Sequence, residues 1–338
     1  MINPGTLSPT DQQEYIMNLA LGYQVSQVLF AAIKMDVFTL LDEGAQDITG
    51  LAGTLQGDES VLGRFIAVLL DLKLLEEKND LFYNTGISSR YLVKGKKCYL
   101  GNSIHHSSNL CEFWESLDEP VIKGTPHTPD NDYLHAFPHR LDDYLSAMKD
   151  TGALKADTIA DAISIQGFRK MLDIGCGPAT YSILFSQRNP DLHATLIDLE
   201  PNLQYARDRI ADSSTQDRIT TITCQVLEED IPGSGYDLVF ISNLIHIYAK
   251  EEVRHILTKA WNVLKASGSM VIHDYIRADT VSRPLFTSLF DLTMFLGTPG
   301  GRCYDREELG EILDHLGARR QNFIPLKLGT SLLMAEKY

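Results

Sequence analysis

Apolar residues early in the chain recur at helical spacing. Ile16, Leu19, Leu21, Tyr23, Val28, Leu29, Ala32 and Ile33 give residues 15–34 a broad apolar face, which predicts a helix. Residues 37–41 form a second short helical stretch ending near Glu43-Gly44, and Asp47-Ile48-Thr49 opens a third over 50–55. Asp58-Glu59-Ser60 offers an N-cap and a first-turn acid for a helix over 61–72. Residues 74–77 and 81–84 flank the polar turn Lys78-Asn79-Asp80, a β-hairpin pattern. Small helices followed by a hairpin make the winged-helix arrangement.

The pattern then loosens. Residues 102–117 read as a helix carrying Trp114, 125–138 as an irregular loop with Pro126, Pro129 and Pro138, and 140–149 as a further helix. From Arg169 strand and helix patterns alternate strictly. Strands are expected at 170–174, 194–198, 219–224, 236–242 and 269–274, and helices at 179–188, 201–212, 250–265 and 306–316. Two more strands, 321–325 and 331–336, close the chain. Alternation at this spacing predicts an α/β domain with a mostly parallel sheet covered on both faces and an antiparallel end.

Charge narrows the partners. Lys plus Arg number 30 and Asp plus Glu 45, a net charge of −15. An acidic chain repels phosphate backbones, so no nucleic-acid partner is expected. A winged-helix DNA-binding regulator is the weaker alternative. Its segment 59–77 sets only Arg64 and Lys73 against Glu59, Asp71, Glu76 and Glu77. The five cysteines, Cys98, Cys111, Cys176, Cys224 and Cys303, include no Cys-x-x-Cys pair and read as reduced thiols in a cytoplasm. The N-terminus lacks a basic and then apolar leader. Residues 15–35 are interrupted by Asn18, Gln24, Ser26, Gln27 and Lys34, so no membrane span is expected. His105, His106, His127, His135 and His139 cluster in sequence, but Pro138 interrupts the helix that would aim His135 and His139 together, and no metal is expected.

Chemistry concentrates at the end of the first sheet strand, Asp173-Ile174-Gly175-Cys176-Gly177-Pro178. Gly175 and Gly177 permit a tight turn and close approach of a ligand to backbone. A helix N-terminus follows, with free N–H groups. The next strand ends at Asp198, where doubly wound sheets place an acid on the ribose hydroxyls of an adenosine cofactor. The motif is D-x-G-x-G, with Thr180 where a dinucleotide fingerprint would have its third glycine. A cofactor without phosphates, S-adenosyl-L-methionine, fits better.

Residues 170–178 and the elements after them resemble class I S-adenosylmethionine-dependent methyltransferases. Nearly all of 12–338 is similar to the small-molecule O-methyltransferases that include plant caffeate, acetylserotonin and bacterial antibiotic-pathway enzymes. Asp36-Val37-Phe38-Thr39-Leu40-Leu41 and 62–77 look like that family's N-terminal pattern. Trp114, 121–124 and the helix ending at Met148 look like its linker, and Pro299-Gly300-Gly301 narrows the match. The resemblance implies a winged-helix dimerisation domain over 1–100, linker helices contributing to the substrate pocket over 101–152, and a seven-stranded Rossmann-like catalytic domain over 153–338. It implies a homodimer acting on a small aromatic or heteroaromatic acceptor, with S-adenosyl-L-homocysteine as the second product. Asp173, Gly175, Gly177, Asp198, Leu199, Gln225, Val226, Ser242 and Asn243 are the implied cofactor residues. Trp114, Met148, Met294, Thr298 and Cys303 are the implied substrate residues, with Phe286, Phe290 and Phe295 nearby.

The resemblance also implies His246 as general base and Asp274 as its assisting acid. An imidazole, with an unperturbed pKa near 6.5, can take a phenolic proton near neutrality, and a carboxylate beside it fixes its tautomer. The chain departs from the family in Arg302-Cys303 where an acid follows the glycines, in Ile247 after the histidine, and in Gln225 for the adenine-contacting acid. Gln225 still offers adenine a donor and an acceptor. Cys303 is either a packing residue or a substrate contact. Because the base machinery is reduced, C- or N-methylation stays open beside O-methylation. His273, on the opposite side of its strand from Asp274, is expected to be structural.

Overall fold

A computed structural model describes residues 4–126, 138–278 and 284–338. The chain divides into two compact units, Met1–Leu110 and Cys111–Tyr338.

The first unit opens with α1 (Pro9–Lys34), capped by the Ser8 hydroxyl on the Asp11 N–H. Then come α2 (Val37–Glu43), α3 (Ile48–Leu55) and α4 (Glu59–Asp71). Asp47 caps α3 on Gly50 N at 2.8 Å and Asp58 caps α4 on Val61 N at 2.9 Å, as the acids before each helix foretold. The hairpin pairs β1 (Leu75–Lys78) with β2 (Leu81–Asn84) around Asn79 and Asp80, both at positive φ, the conformation a two-residue turn needs. Short helices α5 (Gly86–Tyr91) and α6 (Gly101–Asn109) complete the unit. Phe38, Leu51, Ile66, Leu69 and Leu75 form its core.

Little of α1 is covered. Ile16, Leu19 and Tyr23 are 61%, 61% and 65% exposed. Among the described residues α1 is the one helix long and apolar enough, by length and composition, to cross a membrane, although polar residues interrupt it.

The second unit begins with α7 (Cys111–Trp114), α8 (Asp118–Lys123) and α9 (Pro138–Ala162). The helix expected over 102–117 is thus split between α6 and α7. The helix expected over 140–149 extends through Ala162 in α9, because Gly152 does not end it. A Cβ there would stand 3.4 Å from Thr180 Cγ2, an ordinary contact where α9 packs against α10. The sheet follows: β3 (Lys170–Ile174), α10 (Thr180–Arg188), β4 (His193–Asp198), α11 (Glu200–Ala211), β5 (Ile219–Thr223), β6 (Tyr236–Ser242), α12 (Lys250–Val263), β7 (Leu264–Asp274), α13 (Leu285–Gly297), α14 (Arg306–His315), β8 (Arg320–Pro325) and β9 (Ser331–Glu336). Strand order is β5-β4-β3-β6-β7-β9-β8, with β9 antiparallel to both neighbours and the other pairings parallel.

Successive residues of the central strands face opposite layers. Leu238 and Phe240 pack with Met171, Phe185 and Leu196 on the α9–α11 side. Val239 and Ile241 pack with Val253, Leu257 and Leu309 on the α12–α14 side. Reversal of strand order beside β3 opens a crevice at the carboxyl ends of β3 and β6, where ligands bind in such sheets.

Candidate active site

The turn after β3 wraps a cavity. Gly175 (φ +70°) donates its N–H to the Ile197 carbonyl at 2.9 Å, and Gly177 (φ +49°) donates to Asp198 Oδ2 at 2.8 Å. A Cβ on Gly175 would meet the Leu244 side chain at 2.8 Å, so only glycine fits. The cavity is open to solvent on one side. It gathers six of the residues singled out in the sequence: Met148, Asp173, Gly175, Gly177, Ser242 and Asn243. It adds Tyr144, Cys176, Pro178, Thr180 and Tyr181. Tyr144 stands one helical turn before Met148, and that spacing was the signal for it.

The lining is polar where a cofactor would need partners. Asn243 Oδ1 is buried without a hydrogen-bond partner in a residue held at φ +51°. Asp198, Leu199, Gln225 and Val226 lie outside this lining; Asp198 is buried at the end of β4, with Oδ1 accepting Leu199 N at 2.7 Å and Asn202 Nδ2 at 2.6 Å. Asp173 accepts the Ser182 hydroxyl. Burial pushes its carboxyl up to about 7, with the Ser182 bond opposing and the Asp198 charge adding. Gln225 and Val226 follow β5. The Gln225 N–H donates to Glu229 Oε2 at 2.7 Å and the Val226 carbonyl accepts Lys259 Nζ at 3.1 Å. A glycine turn, a helix N-terminus, a buried acid and an unpartnered amide oxygen suit an elongated, adenosine-bearing cofactor of the S-adenosylmethionine kind.

Beyond the cavity, His246 lies on a short 3₁₀ turn after β6 and Asp274 ends β7. The register Ser242↔His273 brings the two loops together, and His246 Nδ1 stands 2.6 Å from Asp274 Oδ1 with both side chains buried. Asp274 Oδ1 also accepts Tyr275 N at 2.7 Å. Burial pushes the Asp274 carboxyl up, but the charge and hydrogen bond of His246 and the Tyr275 N–H bring it below its ordinary range. His273 points the other way and pairs its Nδ1 with Ser242 Oγ at 2.8 Å. Burial drives its pKa down to about 3, so it stays neutral. The Pro299-Gly300-Gly301 turn clasps the same histidine: Arg302 N donates to the His246 carbonyl at 2.8 Å.

An aromatic shelf adjoins His246. The Phe290 ring meets it edge-on at 4.9 Å and stacks on Tyr275 at 3.8 Å, and Phe286 stacks on Tyr275 at 5.8 Å. Phe286 and Phe290 lie on α13, as do Met294 and Phe295. No helical periodicity marks that segment in the sequence, because apolar residues run round the whole circumference. Half-buried Trp114 sits on α7, which packs against α13. The Thr298 hydroxyl donates to the Met294 carbonyl at 2.7 Å and accepts Gly301 N at 2.9 Å, which fixes the turn. Cys303 is 1% exposed, with its N–H on Asp291 Oδ1 at 2.6 Å and its thiol on the Thr287 carbonyl at 3.7 Å. Arg277 joins Asp305, Asp291 and the Cys303 carbonyl beneath it, a network the sequence did not reveal. Among the described residues no group of three His, Cys, Asp or Glu side chains could hold a metal ion. His127 and His135 lie outside the described residues.

Comparison with known proteins covers nearly the whole chain. The family model of an O-methyltransferase domain matches residues 131–319, and that of an O-methyltransferase dimerisation domain matches 17–94. The chain is 27% identical to a 3-hydroxy-5-methyl-1-naphthoate 3-O-methyltransferase of Streptomyces sahachiroi, over 89% of this chain and 88% of that one. It is 28% identical to an L-tyrosine C(3)-methyltransferase of Streptomyces lavendulae, over 95% and 92%. Human N-acetylserotonin methyltransferase, solved in complex with S-adenosylmethionine, superposes with a TM-score of 0.84 at 20% identity, covering 98% of this chain and 99% of that one.

Proposed function

The chain belongs to the O-methyltransferase family, and on that footing we propose that it moves a methyl group from S-adenosyl-L-methionine to a hydroxyl of a small aromatic or heteroaromatic metabolite. The observation that carries this reading is the buried His246–Asp274 pair beside an aromatic shelf and the cleft formed by the glycine turn after β3. When bound, the cofactor supplies an activated methyl group, so the protein's work is positioning and proton removal.

The cofactor residues divide the task. Asp198 and Leu199 hold the ribose end, Gln225 and Val226 flank the adenine, and Asp173, Gly175, Gly177, Ser242 and Asn243 line the remainder. With Nδ1–H given to Asp274, the His246 ring carries its lone pair on Nε2, the form that accepts a proton. Ionised Asp274 steadies the imidazolium that results. The stacked Phe290 and Tyr275 rings give an aromatic acceptor an apolar wall, which Trp114, Met148 and Met294 complete. Thr298 and Cys303, engaged with backbone, shape this wall and hold it in place. Within the second unit, α7 and α9 supply the linker helices of the pocket.

A cytoplasmic homodimer fits the exposed apolar face of α1 inside a matched dimerisation domain and the five unpaired cysteines. A second reading, methylation of an aromatic carbon, draws on Ile247 and Cys303 in place of acids and on the C(3)-methyltransferase among the relatives. Incubation with isotope-labelled S-adenosylmethionine and a library of phenols and heterocycles, read by mass spectrometry, tests both. An O-linked label is expected; a ring-carbon label selects the second reading, and no transfer to any acceptor rejects both.

A further inference from the structure

The segment after β5 makes a single helical turn that is closed at both ends. Gln225 opens it, and its carbonyl accepts Glu228 N at 3.0 Å and Glu229 N at 2.8 Å. The Glu229 carboxylate reaches back to Gln225 N at 2.7 Å and caps the start. The carbonyls that follow find no partner inside so short a turn. Lys259, on α12, supplies one from outside. Its Nζ donates to the carbonyls of Val226 at 3.1 Å, Leu227 at 3.1 Å and Glu229 at 2.8 Å. An ammonium has three donors, and here all three go to main chain. Among the described residues Lys259 makes no ion pair. A cation at the carboxyl end of the turn also suits its dipole.

The same turn is tied to the end of β4. Cys224 N donates to the Asp198 carbonyl at 3.0 Å, and Cys224 and Val226 share a core cluster with Leu257 and Ala260 of α12. The Gln225 side chain is half-buried, and among the described residues its amide makes no hydrogen bond. Its direction is therefore set by the main chain that carries it. We propose that Lys259 is a positioning residue for the cofactor's base, holding Gln225 and Val226 in place by closing the far end of their turn. The inference rests on the cofactor site as read above and adds a residue that touches no part of the cofactor. Arginine is a poor substitute, because its planar fork cannot converge three donors on one point as an ammonium does.

Calorimetric titration of S-adenosylhomocysteine into wild type, Lys259→Met, Gln225→Ala and the double variant tests this. Lys259→Met should weaken binding by about tenfold or more, and Gln225→Ala by about fivefold or more. With the turn already released, removing the amide should cost little further. The double variant should stay within about twofold of Lys259→Met, whereas independent sites would multiply their losses. Thermal melting confirms that the variants fold, and a merely structural lysine would lower the melting temperature without this coupling. Glu229→Ala, at an exposed position, releases the turn from its other end and should weaken binding in the same direction; it decides the matter if Lys259→Met does not fold. Unchanged affinity in Lys259→Met, no effect of Gln225→Ala, or losses that multiply would each overturn the inference. A wild type that binds S-adenosylhomocysteine while the variants show no such coupling sinks this inference alone. A wild type that does not bind it sinks the function proposed above.

Discussion

The carboxylate of Asp198 holds the backbone of Gly177: Oδ2 accepts the Gly177 N–H at 2.8 Å while Oδ1 takes Leu199 N and Asn202 Nδ2. One side chain at the end of β4 therefore fixes the turn after β3 and the start of α11 together. Asp198→Ala should weaken S-adenosylhomocysteine binding by about 10- to 100-fold, since a buried donor loses its acceptor at about 1–3 kcal/mol. Calorimetry checks it. Unchanged affinity would remove Asp198 from the ribose role.

The glycine turn after α13 is equally constrained. A Cβ on Gly301 would stand 2.1 Å from Thr298 Oγ1 and 2.5 Å from the His246 carbonyl. Gly301→Ala must displace the loop that carries the proposed base. Overpacking of this kind costs about 1–3 kcal/mol of stability, and turnover should fall at least about tenfold while S-adenosylhomocysteine affinity changes little. Gly297→Ala is the control, because nothing lies within 4 Å of its added Cβ. Steady-state kinetics of the two variants decide whether the turn positions His246.

How much of this was legible in the sequence differs from element to element. The β3 turn was open to reading because its cause is local: glycines needing positive φ, a strand before them and a helix after. Asp198 followed from the same logic one strand later. The pairing of His246 with Asp274, 28 residues apart, depends on the β6–β7 register, which no local pattern specifies; resemblance to a family supplied it. The second half of α9 was hidden because the expected helix stopped at residue 149, whereas packing of α9 against α10 carries it on past Gly152. Arg277, Asp291 and Cys303 meet only through the packing of α13, whose lack of a polar face concealed it.

Asp173 gives the pH dependence a sign. Burial raises its carboxyl from 3.8 to about 7, so between those values the folded chain keeps a proton that the unfolded chain gives up. Its contribution to stability is therefore full below about pH 4, falls as pH rises through 7, and is absent above. The stability of wild type minus that of Asp173→Asn should decline across this window, by up to about 1.4 kcal/mol for every step of one in pH. Urea unfolding of the cofactor-free protein at pH 5, 6, 7 and 8 measures it. A difference independent of pH would show that Asp173 does not titrate in this window.

The exposed face of α1 should be an interface between two copies of the chain. Ile16, Leu19 and Tyr23 share one face at helical spacing, and exposed apolar patches of this kind mark association sites. Wild type should sediment as a dimer at micromolar concentration. The double substitution Leu19→Asp and Tyr23→Asp, which touches no core residue, should shift it to monomer with α-helical circular dichroism retained. A monomeric wild type would refute the assignment.

The His246–Asp274 pair carries the sharpest test. If the acceptor hydroxyl must lose its proton, His246→Ala should lower turnover by roughly 10²–10⁴-fold, the range of a lost general base. S-adenosylhomocysteine affinity should stay nearly unchanged, because His246 lies outside the cavity lining. Asp274→Asn should give a smaller loss, since it orients the ring at 2.6 Å and steadies its charge without receiving the proton. Removing Asp274 altogether would also free Tyr275 N, so the isosteric amide is the cleaner probe. A carbon acceptor adds a distinction. Its nucleophilicity still rises when a neighbouring hydroxyl ionises, but the proton lost from the ring comes off after methyl transfer and bulk water can take it. The His246→Ala loss should therefore be smaller for ring-carbon than for hydroxyl products. Full activity of His246→Ala on an acceptor shown to be methylated at oxygen would leave His246 as a structural residue of the β6–β7 crevice.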